Sequence, residues 1–186
     1  MQITHHPITL HKKVPLTISR GTRSQSTNLF IQITADNITG YGEATPFSIG
    51  DQTQTTETIT QDLDHITDGI SLYHPLERQI IEESLDQIAP CSAARAAIDV
   101  ALWDWLGKKV DLPLWQLWGL DRQRIGPTAV TVGISSPKGA CDRIQRWHTD
   151  YPNLRSIKIK LGSPAGITAD QAMFSALQAK FRPHDK

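Results

Sequence analysis

The chain has few cysteines, no excess charge of either sign and no long apolar run. Its two cysteines, Cys91 and Cys141, lie far apart and outside any CxxC or CxxH pattern, which argues against a disulfide framework and against a zinc site. Nineteen basic residues balance nineteen acidic residues. A nucleic-acid or membrane-surface partner held by bulk charge is therefore not expected.

The absence of a long apolar run bears on targeting. Residues 1–7 lack the apolar core of a signal peptide, and no later segment is long and apolar enough to span a bilayer. A cytoplasmic location is the default expectation. The seven histidines show no metal-binding spacing, since His5 and His6 are adjacent and would face opposite sides of a strand.

Strands are predicted over most of the first fifty residues. Segment 2–34 is rich in Thr, Ile, Val and Leu and is interrupted by an exposed loop at 19–24. The runs 28–34 and 38–43 are joined by an Asp-Asn pair that tolerates turn conformations, which predicts a hairpin. A mixed loop of Pro, Gly and apolar residues is predicted over 44–51.

Helices are predicted next. One apolar face predicts a helix over about 55–69, and its members are Ile59, Leu63, Ile66 and Ile70. A weaker face predicts a second helix after Pro75, and its members are Leu76, Ile80 and Leu85. The strongest helix signal begins at the N-cap candidate Ser92 and ends at Gly107, and its small residues permit close approach of another element.

Beyond Asp121 the pattern alternates between strand and helix. A strand over 128–134 precedes a helix that begins at Ser136-Pro137, and a strand near 156–161 precedes a last helix. A capping box of Thr168 and Gln171 is predicted to begin that helix, which is expected to end at 181–183. This βαβα order predicts a parallel sheet or a barrel.

The strand near 156–161 carries two lysines. Strict alternation of polar and apolar residues places Lys158 and Lys160 on one face, because successive side chains of a strand point to opposite sides. Each ammonium group disfavours charge on its neighbour, which favours the neutral amine that a base requires. The alternative is a solvated edge strand whose lysines face water.

Three features resemble one known family when taken in order. They are the Gly40–Ala44 segment after the hairpin, the helix-turn-helix over 93–119, and the Lys158-Ile159-Lys160 strand. Together they resemble the enolase superfamily, in its muconate-lactonising and dipeptide-epimerase branch. The resemblance implies an α+β capping domain over 1–121, followed over 122–186 by the first β/α units of a (β/α)₈-type barrel. Trp105 and Trp118 depart from the smaller aliphatic residues usual in the family.

The resemblance also implies roles for individual residues. Lys160 matches the base that removes a proton α to a carboxylate-type carbonyl, with Lys158 beside it. Segment 15–23 is most similar to the mobile capping loop of dipeptide epimerases, in which an arginine matching Arg23 contacts a substrate carboxylate. A guanidinium fork is suited to that contact. Thr131 is assigned to substrate binding as well, whereas Arg20 is expected to be a solvated loop charge.

The cofactor that the resemblance implies is Mg²⁺, bound to the substrate oxygens. Its acidic ligands are expected from the third, fourth and fifth barrel strands, beyond this chain, so no residue here is assigned to the metal, and neither Asp170 nor Asp185 is taken as a ligand. A complete barrel of this type takes roughly 250 residues. The expectation is therefore an N-terminal portion of a longer enzyme that is inactive alone.

Several functions stay open at this point. The first is a dipeptide epimerase with a small-molecule dipeptide substrate. A muconate cycloisomerase or o-succinylbenzoate synthase would share Lys158 and Lys160 but not the Arg23 loop. A non-catalytic binding or assembly module is the alternative from a different class. Neither nucleic acid nor membrane is expected as a partner, and homo-oligomerisation is left open.

Overall fold

The computed structural model describes residues 1–49 and 52–181, which fall into two compact units. The first unit contains Met1–Leu10 and Ser26–Gln123, and the second contains His11–Gln25 and the described part of Arg124–Lys186. One strand pair thus contributes to both units. The predicted domain boundary at 121–122 stays a prediction. Among the described residues, no helix has the length and apolar character needed to cross a bilayer.

The strands before the first helix are longer than the sequence pattern indicates. They are β1 (Gln2–Ile18), β2 (Gly21–Ala35), β3 (Ile38–Ala44), β4 (Phe47–Ile49) and β5 (Gln52–Gln54). β1, β2 and β3 form one sheet in that order, and β4 pairs antiparallel with β5. The predicted loop at 19–24 was wrong, because only Ser19 and Arg20 lie between two strands. The predicted loop over 44–51 contains β4, and Gly50 and Asp51 lie outside the described residues.

The predicted hairpin of β2 and β3 is confirmed. The two strands pair antiparallel, with Ala35 opposite Ile38. The connecting residues Asp36 and Asn37 have φ angles of 52° and 60°. Positive φ at both positions is the signature of a type I′ turn, whose twist matches that of the flanking strands.

Helices α1 (Thr56–Ile70), α2 (Arg78–Ile88), α3 (Ser92–Lys109) and α4 (Leu114–Leu117) complete the first unit. The predicted face of α1 is confirmed, and all four of its apolar members are fully buried. The predicted face of α2 was wrong at two of its three members. Leu76 precedes the helix and is 55% exposed, and Ile80 is 42% exposed. Leu85 is buried as predicted, together with Ile81. Since α2 begins at Arg78, the buried residue of its first turn is Ile81, one position after the predicted Ile80.

The N-terminus of α3 is satisfied by side chains from distant segments. Cys91 occupies the N-cap position, so the prediction of Ser92 was off by one residue. The Cys91 N–H donates to Asp62 Oδ2 at 2.8 Å, and the Ala93 N–H donates to the buried Gln54 side chain at 2.9 Å. Helix N–H groups without intrahelical partners require such acceptors. Burial of the thiol raises the pKa of Cys91.

Two glycines allow β3 to lie directly on α3. A Cβ atom at Gly42 would overlap the Ala97 carbonyl, and one at Gly40 would overlap the Ala101 carbonyl. The facing residues Ala97 and Ala101 are fully buried. Strand and helix therefore meet backbone to backbone, with no side chain between them at these points.

The β2–β3 turn is held by polar contacts as well as by its own geometry. Asp36 Oδ2 accepts hydrogen bonds from Lys109 Nζ at 2.8 Å and from His74 Nε2 at 3.3 Å. The Lys109 hydrogen bond, followed by that of His74, lowers the pKa of the Asp36 carboxyl below its ordinary value. The fully buried Trp105 donates its indole N–H to the Ala35 carbonyl at 3.1 Å.

Replacing Asp36 with asparagine is expected to lower the melting temperature most at neutral pH. Because the folded-state pKa lies below the unfolded value, the ionised carboxylate stabilises the fold above about pH 4, and this contribution is lost as pH falls through the folded-state pKa. Asparagine tolerates the same positive φ, so the change tests charge alone. Melting curves of both proteins between pH 7 and pH 3 measure the effect.

The control for this prediction is Asp68→Asn. Asp68 is exposed on α1, and within residues 1–49 and 52–181 it forms no ion pair. Its loss should leave the pH dependence of melting nearly unchanged. A difference between wild type and Asp36→Asn that stays constant from pH 7 to pH 3 would contradict the predicted linkage.

The second unit contains two successive β/α pairs. They are β6 (Ala129–Val132), α5 (Pro137–Asp150), β7 (Ser156–Ile159) and α6 (Ile167–Lys180), preceded by a 3₁₀ turn over Arg122–Arg124. β6 and β7 are parallel neighbours, as predicted, with Val132 opposite Ile159. Ser136 caps α5 by accepting the Gly139 N–H at 3.1 Å.

The start of α6 differs from its prediction. Its N-cap is Gly166, which has no side chain to accept a hydrogen bond, so the predicted capping box of Thr168 and Gln171 was wrong. Thr168 lies inside the first turn rather than before it. The helix ends at Lys180, and Arg182 and Pro183 of the predicted stop lie outside the described residues.

Candidate active site

The β6–β7 pair has one apolar face and one polar face. Its apolar face packs on α5 and α6 through Val132, Ile157 and Ile159, together with Ala140, Cys141, Ile144, Met173 and Leu177. Since side chains alternate along a strand, Thr131, Lys158 and Lys160 lie on the opposite face. Both lysines are thus on the face that the helices leave uncovered.

The register of the strands brings the predicted site residues together. Thr131 is the direct partner of Lys158. The Lys160 N–H donates to the Val132 carbonyl at 3.0 Å, so the ladder continues one residue past β7. Lys158 is exposed, whereas Lys160 is half-buried. The shared face that alternation predicts is therefore present, and the catalytic role of both lysines stays a prediction.

The end of the β1–β2 hairpin reaches the carboxyl end of β6. The Ile134 N–H, two residues past this strand, donates to the Thr17 carbonyl at 3.0 Å. Ser19 lies close to Gly162, two residues past Lys160, where an added Cβ would be 3.3 Å from the Ser19 Cβ. The carboxyl ends of parallel barrel strands are where active sites are built.

The arginines of this hairpin differ in position but not in exposure. Arg20 lies in the turn and Arg23 on β2, and both are exposed. A hydrogen bond between the hydroxyls of Thr17 and Thr22, 2.9 Å apart, joins the two strands beside them. Within residues 1–49 and 52–181, no carboxylate forms an ion pair with Arg23.

Asp170 organises the loop that follows the lysine strand. Its Oδ2 accepts the Gly162 N–H at 2.7 Å, and both of its carboxylate oxygens accept the Ser163 N–H at 3.2 Å. The sequence prediction considered Asp170 only as a metal ligand and missed this role. The available signal is an Asp in the first turn of a helix that follows a short Gly-Ser-Pro loop.

The residues that the structure describes do not fit a metal ion. Among residues 1–49 and 52–181, no group of three or more His, Cys, Asp or Glu side chains is placed to hold one. Asp170 is engaged by backbone N–H groups, and Asp185 lies outside the described residues.

Comparison with known proteins identifies the family. The model described as "Mandelate racemase / muconate lactonizing enzyme, N-terminal domain" matches residues 2–119. The chain belongs to the mandelate racemase and muconate lactonizing enzyme family. This match confirms the predicted resemblance to this branch of the enolase superfamily. The predicted fold, a capping domain followed by β/α units, is confirmed as well.

Several relatives of this family member are epimerases. A hydrophobic dipeptide epimerase from Flavobacteria bacterium (strain MS024-2A) is 40% identical over 180 residues, which are 94% of this chain and 48% of that protein. An L-Ala-D/L-Glu epimerase from Bacteroides thetaiotaomicron is 28% identical over 167 residues, which are 87% of this chain and 41% of that protein. The chain spans about half the length of the curated relatives it matches.

A solved epimerase structure has the same fold as this chain over the matched part. The crystal structure of a dipeptide epimerase from Enterococcus faecalis V583, complexed with Mg and the dipeptide L-Leu-L-Tyr, matches with a TM-score of 0.84 and 29% identity. The match covers 97% of this chain and 50% of that chain. Both the capping elements and the β/α pairs therefore have counterparts in an epimerase.

Proposed function

We propose that this chain forms the base-bearing part of a dipeptide epimerase. The observation that carries the proposal is the shared face of Thr131, Lys158 and Lys160, which points away from the helices at the carboxyl end of two parallel strands. Such a face is directed toward the interior when the sheet continues into a barrel. The names of the relatives support the same reaction class.

Lys160 is the proposed base. Its neutral amine takes the proton from the carbon α to the substrate carbonyl, and the electron pair left on carbon moves onto the carbonyl oxygen. Return of a proton to the opposite side of that carbon gives the epimer. Lys158 is two residues away on the same face, so its ammonium group attracts the negative charge that develops on the substrate.

The other proposed contacts position the substrate. The Thr131 hydroxyl lies beside Lys158 in the register and is placed to donate or accept one hydrogen bond. Arg23 is proposed to bind a substrate carboxylate, for which a guanidinium fork is well shaped. The group that delivers the second proton and the ligands for Mg²⁺ are proposed to come from polypeptide outside residues 1–186.

We propose hydrophobic dipeptides as the first substrate class. The hydrophobic dipeptide epimerase at 40% identity supports this choice. Leu16 and Ile18 are half-buried in the same hairpin end that carries Arg23, so this segment offers an apolar surface next to a cation. An acidic dipeptide is the competing substrate, since Arg23 also suits a side-chain carboxylate.

The proposal is tested in a chimeric enzyme, in which residues 1–186 are joined to the part of the Flavobacteria epimerase that this chain does not cover. Loss of the α-proton NMR signal in deuterated buffer is measured with magnesium present. Exchange on L-Leu-L-Tyr is expected to be faster than on L-Ala-L-Glu by about tenfold, since one misfitted side chain typically changes specificity by that order. Circular dichroism and a melting curve establish that the chimeric enzyme is folded.

The 186-residue chain alone is the control and should show no exchange, with or without magnesium. A folded chimeric enzyme that exchanges neither dipeptide would contradict the proposed function. Faster exchange on L-Ala-L-Glu, reversed by Arg23→Ala, would instead assign the acidic substrate class. Turnover of muconate without dipeptide exchange would favour muconate cycloisomerase as the function.

A further inference from the structure

Gly133 lies where the β1–β2 hairpin meets the end of β6. A Cβ atom on Gly133 would be 2.8 Å from the Thr17 carbonyl oxygen, 3.1 Å from the Thr17 nitrogen and 3.2 Å from Leu16 Cδ1. The first two are backbone atoms, which cannot rotate away from an added group. The Leu16 methyl alone has the freedom to move. Any side chain at position 133 therefore displaces the hairpin backbone.

The requirement for glycine here is one of space. Gly133 does not have the positive φ that marks strained positions, in contrast to Gly162, whose φ is 97°. Alanine is accordingly compatible with the local backbone of residue 133. A substitution at this site tests the approach of the hairpin without distorting the strand itself.

At this end of the hairpin, Ser19 also lies close to Gly162. The backbone contact that adjoins Gly133 is the hydrogen bond from Ile134 N–H to the Thr17 carbonyl. Beside it lies an unfilled cleft of about 270 Å³, bounded by Val14, the end of β6 and the first turns of α5. Because Val14 borders this cleft, the close contact at Gly133 contributes directly to the position of the hairpin.

We infer that Gly133 is a positioning residue that seats the hairpin, and with it Arg23, at the carboxyl end of the lysine-bearing sheet. The Ile134–Thr17 hydrogen bond forms only when the hairpin backbone approaches this closely. This close contact between the hairpin and the end of β6 forms within the described residues alone, and we call it the seating of the hairpin. Its catalytic consequence rests on the proposed function, because it acts by holding the hairpin end that carries Arg23 at the carboxyl end of β6.

The test compares Gly133→Ala with wild type in the 186-residue chain. Trypsin cleavage after Arg20 and Arg23 reports release of the hairpin, and amide exchange at Ile134 reports loss of its hydrogen bond. Both rates are expected to rise by about tenfold or more, as for a local opening, while cleavage after Lys109 in the first unit stays unchanged. Gly126→Ala is the matched control, since nothing lies within 4 Å of an added Cβ there.

Two results with Gly133→Ala would overturn the inference. One is unchanged cleavage and unchanged Ile134 exchange in Gly133→Ala. The other is equal acceleration at all sites, which means general destabilisation. If Gly133→Ala does not fold, Leu16→Ala provides the second variant, because it removes the side chain packed on Gly133 and should release the hairpin selectively. Uniform exchange at Ile134 and at exposed loop amides in wild type would also refute the seating.

The chimeric enzyme separates this inference from the proposed function. With an active chimeric enzyme, Gly133→Ala should raise KM by about tenfold and change kcat less, since the hairpin contributes mainly to binding. The pH profile of kcat should keep its shape. The chimeric enzyme could be inactive while Gly133→Ala still accelerates trypsin cleavage and Ile134 amide exchange in the 186-residue chain. That result would refute the proposed function and would leave the inference about Gly133 standing.

Discussion

Replacing Lys160 with alanine is expected to reduce α-proton exchange in the chimeric enzyme by about 10²- to 10⁴-fold, the usual contribution of a positioned base. Lys160 is half-buried, follows β7 directly and lies on the face opposite to the α5–α6 core. Its backbone N–H donates to the Val132 carbonyl, which fixes the main chain from which the amine extends. Rates of α-deuterium incorporation by NMR measure the loss.

Two further variants sharpen this expectation. Lys160→Arg should be as inactive as alanine, because a guanidinium group stays protonated and cannot accept the proton. Lys138→Ala removes an 86%-exposed lysine of α5 that pairs with Asp142 at 2.6 Å, and it should leave the rate unchanged. Exchange that survives in Lys160→Ala would discard Lys160 as the base.

Gly42→Ala is expected to have the largest effect on folding. The added Cβ would overlap the Ala97 carbonyl oxygen and lie 3.3 Å from the Ala101 Cβ. Neither backbone atoms nor an alanine methyl can move aside, so β3 and α3 must separate. The expected loss is about 3 kcal/mol of unfolding free energy, at the upper end of overpacking costs. Chemical denaturation followed by circular dichroism measures it.

The matched control for Gly42 is Gly69→Ala in α1. A Cβ at Gly69 would also make a close contact, 2.8 Å from Ile88 Cδ1, but that atom is the far end of a flexible side chain. Alanine is preferred over glycine in a helix by about 1 kcal/mol. Gly69→Ala should therefore be neutral or stabilising. Equal losses in the two variants would show that close contact with β3 is not what makes Gly42 necessary.

Local patterns were sufficient to predict much of the fold. The i, i+4, i+7 spacing of α1 identified a face that is fully buried, and the Asp36-Asn37 pair predicted the hairpin that the structure contains. These signals are local, since each depends on residues that are neighbours in sequence. Leu76 and Ile80 were assigned wrongly to the buried face of α2, because together with Leu85 they fit a stripe that begins before the helix.

Local sequence patterns did not predict the contacts between distant segments. Residues 21–25 are all exposed, so no alternation of buried and exposed positions predicts that β2 begins at Gly21 rather than after the predicted loop over 19–24. The same limit applies to the candidate site. Alternation placed Lys158 and Lys160 on one face, but no spacing rule links Gly133 to Thr17 across more than a hundred residues.

The strand pair that contributes to both units constrains where this protein can be cut. A version ending at Gln123 would retain Thr17 but lose Ile134, whose N–H binds the Thr17 carbonyl. The tip of the hairpin would then carry unsatisfied main-chain groups beside apolar side chains, a template for pairing with other molecules. Shortened versions of this kind should self-associate as their concentration rises, even though every capping helix is intact.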